Sequence, residues 1–145
     1  AQIGSSGDGA RIGSSGDGAQ IGSSGDDAQI GSSGNYAQIG SSGNDAQIGS
    51  SGNYARIGSS GDDAQIGSSG NYAQINCEGE RAVVAAAGAY TRVKGKAGAW
   101  VSLAEFDDSG RCIGFATGCI GQNGLEPDVW CAARGGKLVK VGAES

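Results

Sequence analysis

Ala1 and Ile3 are apolar, Gln2 between them is polar, and a stretch of Gly, Ser and Asp follows before Ala10 and Ile12 begin the pattern again. The unit is nine residues long and runs from Ala1 to Tyr72 almost unchanged. Alternate residues of a strand point to the same side, so Ala and Ile face inward and Gln or Arg outward. Ile is β-branched and suits a pleated surface. The Gly-Ser-Ser-Gly-Asp/Asn stretch is turn chemistry: Gly takes positive φ, and the polar side chains bond nearby backbone. The Ser5-Ser6 pair and its repeats are therefore read as turn and hydrogen-bonding residues. Each unit is a short strand plus a turn, and its Ile is buried only when units stack.

The ninth position carries a second period. It reads Asp27, Tyr36, Asp45, Tyr54, Asp63, Tyr72, so like residues recur every 18. This predicts an all-β fold, a β-solenoid or β-roll with two nine-residue units per 18-residue coil. Successive coils rise by about 4.8 Å, the ordinary strand spacing. Tyr36, Tyr54 and Tyr72 then line one edge, and Asp27, Asp45 and Asp63 the other.

The pattern continues in degraded form. Ala73-Gln74-Ile75 and Ala82-Val83-Val84 open further units, and Gly79 and Gly88 keep the seventh position. Tyr90 falls 18 residues after Tyr72 and extends the Tyr ladder. Thr91-Arg92-Val93 opens the last unit. Residues 1–99 thus form a solenoid of eleven units, degenerate after 72, and the rod is roughly 26 Å long.

Residues 100–145 read as a β-rich C-terminal cap. Trp100–Phe106 is a strand, Asp107-Asp108-Ser109-Gly110 a turn, and Arg111–Ala116 the returning hairpin partner. Asp128–Ala132 and Lys137–Val141 flank Arg134-Gly135-Gly136, a second hairpin signal. An open strand edge invites aggregation, which gives a cap its purpose. Trp100 and Trp130 are assigned to the core of that cap.

Charge refines the picture. Residues 1–72 carry Arg11 and Arg56 against seven Asp, whereas residues 73–145 balance eight basic against eight acidic side chains. The repeat half is acidic, which disfavours nucleic-acid binding. No apolar run is long enough to span a membrane and no secretory signal is visible. Cys77, Cys112, Cys119 and Cys131 are sparse for a disulfide scaffold and read as buried free thiols of an intracellular protein. There is no Met, position 1 included. This points to a chain processed or cut from a longer one, with a cap or further coils expected ahead of Ala1.

Most catalytic chemistries lack their residues. There is no His, so His-based triads and His–metal sites are excluded. The Ser residues have no base beside them. Asp107 and Asp108 sit in a turn, and the Cys spacing lacks a close pair for zinc. No Gly-rich loop leads into Lys-Ser/Thr. Arg92, Lys94 and Lys96 form a small basic cluster, read as a solvated face.

The Ala-x-Ile-Gly-Ser-Ser-Gly-Asp/Asn-Tyr unit resembles tandem repeats of small uncharacterised bacterial and phage proteins. Trp100-Val101-Ser102-Leu103-Ala104-Glu105-Phe106 and Asp128-Val129-Trp130 are similar as well. The resemblance implies a β-solenoid with a C-terminal cap and carries over no catalytic residue. A more distant similarity is to the RTX nonapeptides, calcium-binding β-rolls patterned Gly-Gly-x-Gly-x-Asp-x-apolar-x. Gly4-Ser5-Ser6-Gly7-Asp8 matches part of that pattern, with Ser5 breaking the first Gly pair and the Asp directly after the second Gly. Calcium needs several oxygen ligands. Asp26, Asp27, Asp62 and Asp63 are the candidates, while Asn35, Asn44, Asn53 and Asn71 replace the acid elsewhere.

The reading that results is a non-enzymatic scaffold, a structural or protein-interaction module without a required cofactor. Its candidate contacts are Tyr36, Tyr54, Tyr72 and Tyr90, the Asp27, Asp45 and Asp63 edge, and the outward Gln faces. Gln2, Gln20, Gln38 and Arg56 share one face; Arg11, Gln29, Gln47 and Gln65 share the other. The partner is a protein, or a second copy met through the open N-terminal edge, and neither nucleic acid nor membrane. The alternatives are a phage or bacterial inhibitor that sequesters a protein by acidic mimicry, a calcium-binding roll, and an ice-binding solenoid.

Overall fold

The computed structural model describes residues 2–141. The expected 1–99 and 100–145 segments therefore reach slightly beyond it at each end. Among the described residues every regular element is a strand. The chain is a β-solenoid of about six turns with an 18-residue repeat.

Eleven four-residue strands come first: β1 (Gln2–Ser5), β2 (Arg11–Ser14), β3 (Gln20–Ser23), β4 (Gln29–Ser32), β5 (Gln38–Ser41), β6 (Gln47–Ser50), β7 (Arg56–Ser59), β8 (Gln65–Ser68), β9 (Gln74–Cys77), β10 (Val83–Ala86) and β11 (Arg92–Gly95). They deal alternately into two parallel sheets. Odd strands stack β1-β3-β5-β7-β9-β11, and even strands β2-β4-β6-β8-β10. The register is in step, so Ile21 lies between Ile3 and Ile39, and Gln47 between Gln29 and Gln65. Ala and Ile form the core, with Ala at 0% and Ile at 2–4% exposure through the middle coils.

The strand carries one more inward residue than the hydrophobic pattern shows. Its last residue, the first Ser of each pair, points into the core, where Ser23, Ser32, Ser41, Ser50, Ser59 and Ser68 are buried. None of these six hydroxyls has a hydrogen-bond partner within the protein. Inward residues recur every second position, and the pleat runs on past Ile into Gly and Ser. The two Ser columns give way to Cys77 and Gly95 in one sheet and to Ala86 and Leu103 in the other.

The turns are also hydrogen-bonded from coil to coil. At the eighth position Asp or Asn Oδ1 accepts the backbone N–H of the equivalent residue 18 further on, from Asp8 to Asp26 and from Asn35 to Asn53, each at 2.9 Å. Only Oδ1 is used, which explains why Asp and Asn interchange. The seventh position is closed to any side chain. A Cβ at Gly25, Gly34, Gly43, Gly52, Gly61, Gly70, Gly79 or Gly88 would fall inside 3.0 Å of the Gly carbonyl one coil earlier.

The C-terminal segment closes the stack. β12 (Trp100–Phe106) lies parallel on β10 and antiparallel to β13 (Cys112–Cys119), so it belongs to the stack and to a hairpin at once. β14 (Cys131–Arg134) and β15 (Lys137–Lys140) form a second hairpin against β11. Its tip places Gly135 and Gly136 at φ 61° and 79°, as a tight two-residue turn requires. Glu105 accepts both tip N–H groups at 2.7 and 2.8 Å and ties the second hairpin to β12.

Trp100 is not in the cap core. It is 52% exposed, because pairing with Val83 gives it the outward place that Gln holds in the repeats. Val101 and Leu103 take the inward places instead. Trp130 is half-buried at the other sheet.

Candidate functional site

The two edges differ as the ninth position predicts. Every turn leaving an even strand from β4 to β10 carries Tyr, and turns leaving β3, β5 and β7 carry Asp. Tyr36, Tyr54, Tyr72 and Tyr90 stack as parallel rings with centroids 5.0 to 5.1 Å apart. The rings are 45–61% exposed, Tyr36 most, because Gly18 precedes it in the column.

All of these residues occupy a left-handed backbone. Asp27, Tyr36, Asp45, Tyr54, Asp63 and Tyr72 have φ between 58° and 61°. That conformation costs roughly 1–2 kcal/mol for a residue with a Cβ, and Tyr is bulky for it. Stacked aromatic pairs contribute about 0.5–1.5 kcal/mol each. Stacking therefore roughly offsets the backbone cost, and the exposed edge of each ring brings no burial beyond it. The sequence signal available was the Gly at the same place in the first two units, Gly9 and Gly18, at φ 68° and 69°.

The Asp edge is shorter than a continuous acidic stripe. Arg81 takes the ninth position one coil after Asp63 and binds its carboxylate at 2.8 and 2.9 Å. The Arg81 hydrogen bond, followed by its charge, holds the Asp63 carboxyl below the usual range. Asp26 and Asp62, two of the calcium candidates, each commit Oδ1 to the backbone of the next coil. Among the described residues no three His, Cys, Asp or Glu side chains converge as a metal site would require. Asp107, from the adjacent pair, closes its own turn by accepting the backbone N–H groups of Ser109 and Arg111 and the Ser109 hydroxyl.

The basic cluster is not simply solvated. Trp130 sits under Arg92 and Lys94, with the guanidinium carbon 5.8 Å and the ammonium nitrogen 5.0 Å from the ring centroid. Arg92 is 8% exposed. Lys96 pairs with Asp128 at 3.0 Å. These contacts dock the second hairpin on the odd sheet through cation–π attraction, and they join segments no short-range pattern connects.

The chain matches no protein-family model, no curated protein and no solved structure. Among the described residues no helix is long and apolar enough to cross a membrane.

The four thiols are free, and Cys112 alone is exposed. Burial pushes the Cys77 thiol up to about 12 and the Cys131 thiol up to about 11. The thiolate is the nucleophile, so a raised pKa and poor access both slow reaction. At pH 8 a thiol-specific disulfide reagent should label one site promptly in the folded protein and four after denaturation. Rapid labelling of Cys77 or Cys131 in the native state would contradict this packing.

Proposed function

We propose that the protein is a non-enzymatic display scaffold that meets a protein partner through the Tyr36–Tyr54–Tyr72–Tyr90 ladder. The observation that carries this reading is the placement of exposed Tyr rings on left-handed backbone. Asp fills the same backbone place on the opposite edge, so the fold itself does not require an aromatic there. Tyr offers large amphipathic contact area with little rotamer entropy to lose. A column of rings held 5.0 Å apart is already ordered before binding, which lowers the cost of association. The outward Gln columns flank this edge as polar rim.

The test exploits the opposite edge. Tyr54→Asn and Tyr72→Asn together keep a residue that tolerates positive φ and remove the two central rings. Circular dichroism should be unchanged. Capture of a specific partner from lysate should fall at least tenfold, equivalent to about 1.4 kcal/mol. Undiminished capture by the double variant would remove the ladder as the contact.

A further inference from the structure

The loop after β13 contains a tight turn centred on Asn123 and Gly124, the only Asn-Gly pair in the chain. Leu125 N–H donates to Gln122 O across it at 3.0 Å. Asn123 and Gly124 have φ of 51° and 84°, and two positive values mark a type I′ turn. Both residues are exposed. Among the described residues neither the Asn123 side chain nor the Gly124 N–H has a hydrogen-bond partner.

The repeats hold the same side chain very differently. Asn35, Asn44, Asn53 and Asn71 each offer Oδ1 to a backbone N–H one coil on, at 2.8 to 2.9 Å. The N–H that follows each of them, on Tyr36, Asp45, Tyr54 or Tyr72, donates to that same coil at 2.8 to 2.9 Å. Asp8-Gly9 and Asp17-Gly18 are tied in the same two ways. Asn76 lies inside β9, and Cys77 after it is buried.

We propose that Asn123 is a self-modifying site, where the Gly124 nitrogen closes on the Asn123 side chain and the amide becomes a carboxylate. Turning the central peptide over takes a type I′ turn to type II′ and moves ψ of Asn123 to about −120°. The Gly124 nitrogen then eclipses Cβ and comes within reach of Cγ. The move sends Gly124 from positive to negative φ, which glycine alone does freely. The nitrogen attacks Cγ and forms a C–N bond, closing a five-membered imide. Its proton departs with the side-chain NH2 as ammonia. Water, the one co-reactant, then adds to either imide carbonyl. Breaking the new Cγ–N bond leaves aspartate. Breaking the original backbone C–N bond leaves isoaspartate, with the chain routed through Cβ and Cγ. Nothing is oxidised or reduced. Either product adds a negative charge to a segment that already holds Glu126 and Asp128. Isoaspartate also lengthens the turn that carries Leu125 onto the core. The cap thus holds a one-way mark of age, and the coils hold their own Asx residues inert.

Peptide mapping by mass spectrometry of the full chain, aged at pH 6 and at pH 9, tests this. In the folded protein Asn123 should gain one mass unit about tenfold faster, or more, than any repeat Asn, a barrier difference of about 1.4 kcal/mol. The gain should be faster at pH 9, because the deprotonated amide is the nucleophile. Urea should speed the repeat asparagines and leave Asn123 little changed. Gly124→Ala should slow Asn123 about tenfold or more, with circular dichroism confirming the fold. No gain at Asn123 overturns the proposal. So does an equal gain at Asn35, Asn44, Asn53 or Asn71 in the folded chain, a repeat Asn no faster in urea, or an undiminished rate in folded Gly124→Ala.

Discussion

Replacing Gly52 by Ala should lower stability by about 3 kcal/mol or more, several times what a single methyl group costs on an open surface. The added Cβ would meet the carbonyl of Gly34 in the coil below. A clash of this kind is relieved in a core by rotating a side chain. Here both parties are backbone, held by hydrogen bonds on either side, from Tyr36 N–H to Asn53 O and from Asn53 N–H to Asn35 Oδ1. The coils must separate locally, and those bonds lengthen with them. Two controls make the test specific. Gly16→Ala introduces the same group at the same repeat position, but nothing lies within 4 Å of it. Gly49→Ala adds a methyl to an open outward site. Gly in a strand interior costs about 0.5–1 kcal/mol relative to Ala, so Gly49→Ala should be neutral or slightly stabilising. Urea denaturation of the three variants should rank them with Gly52→Ala far below the others. Equal midpoints would mean that the coils are not in backbone contact.

The second large effect has the opposite sign. Changing Ser32, Ser41, Ser50 and Ser59 together to Ala should raise stability by roughly 4 kcal/mol, taken as about 1 kcal/mol for each buried hydroxyl freed of its desolvation penalty. The chain supplies its own precedent, since the same inward columns hold Cys77, Ala86 and Leu103 nearer the cap. Each substitution removes one oxygen and leaves a small void, which works against the gain but is the smaller effect at this size. Thermal unfolding should move up by about 10 °C. A fall instead would show that the hydroxyls find partners in solution, with enclosed water the first to consider.

The two-sheet coil is legible from the sequence because Ala-x-Ile alternates with a polar residue and because Tyr and Asp alternate at the ninth position. Together they give the strand, its inward face and the number of units per turn. The inward Ser is not legible, because polarity argued for the surface and only the pleat, carried one step past Ile, puts Ser inside. Trp100 could have been placed by register. Counting from Val84 and Ala86 to Val101 and Leu103 leaves Trp100 in the outward column with Val83. The seat of Trp130 beneath Arg92 and Lys94 was beyond reach, since it depends on how a hairpin folds back over the 35 residues between Lys94 and Trp130. At the edges, the Tyr column and the Asp column were readable as opposites. Their left-handed backbone is signalled only by Gly9 and Gly18 at the same place, and the early end of the Asp edge depends on Arg81 reaching Asp63 one coil back.

The pairing of β12 with β10 sets a rule of parity. Units alternate between the two sheets, and the hairpin begins on the even one. Duplicating a single nonapeptide within the repeats would deliver β12 to the odd sheet, exchange the two edges above the insertion and present the cap with the wrong floor. Duplicating a pair lengthens the rod by one coil and leaves every downstream contact as it was. Length in such a chain can drift in whole turns while half turns are forbidden. The strict alternation of Tyr and Asp is what a history of paired duplications would leave behind.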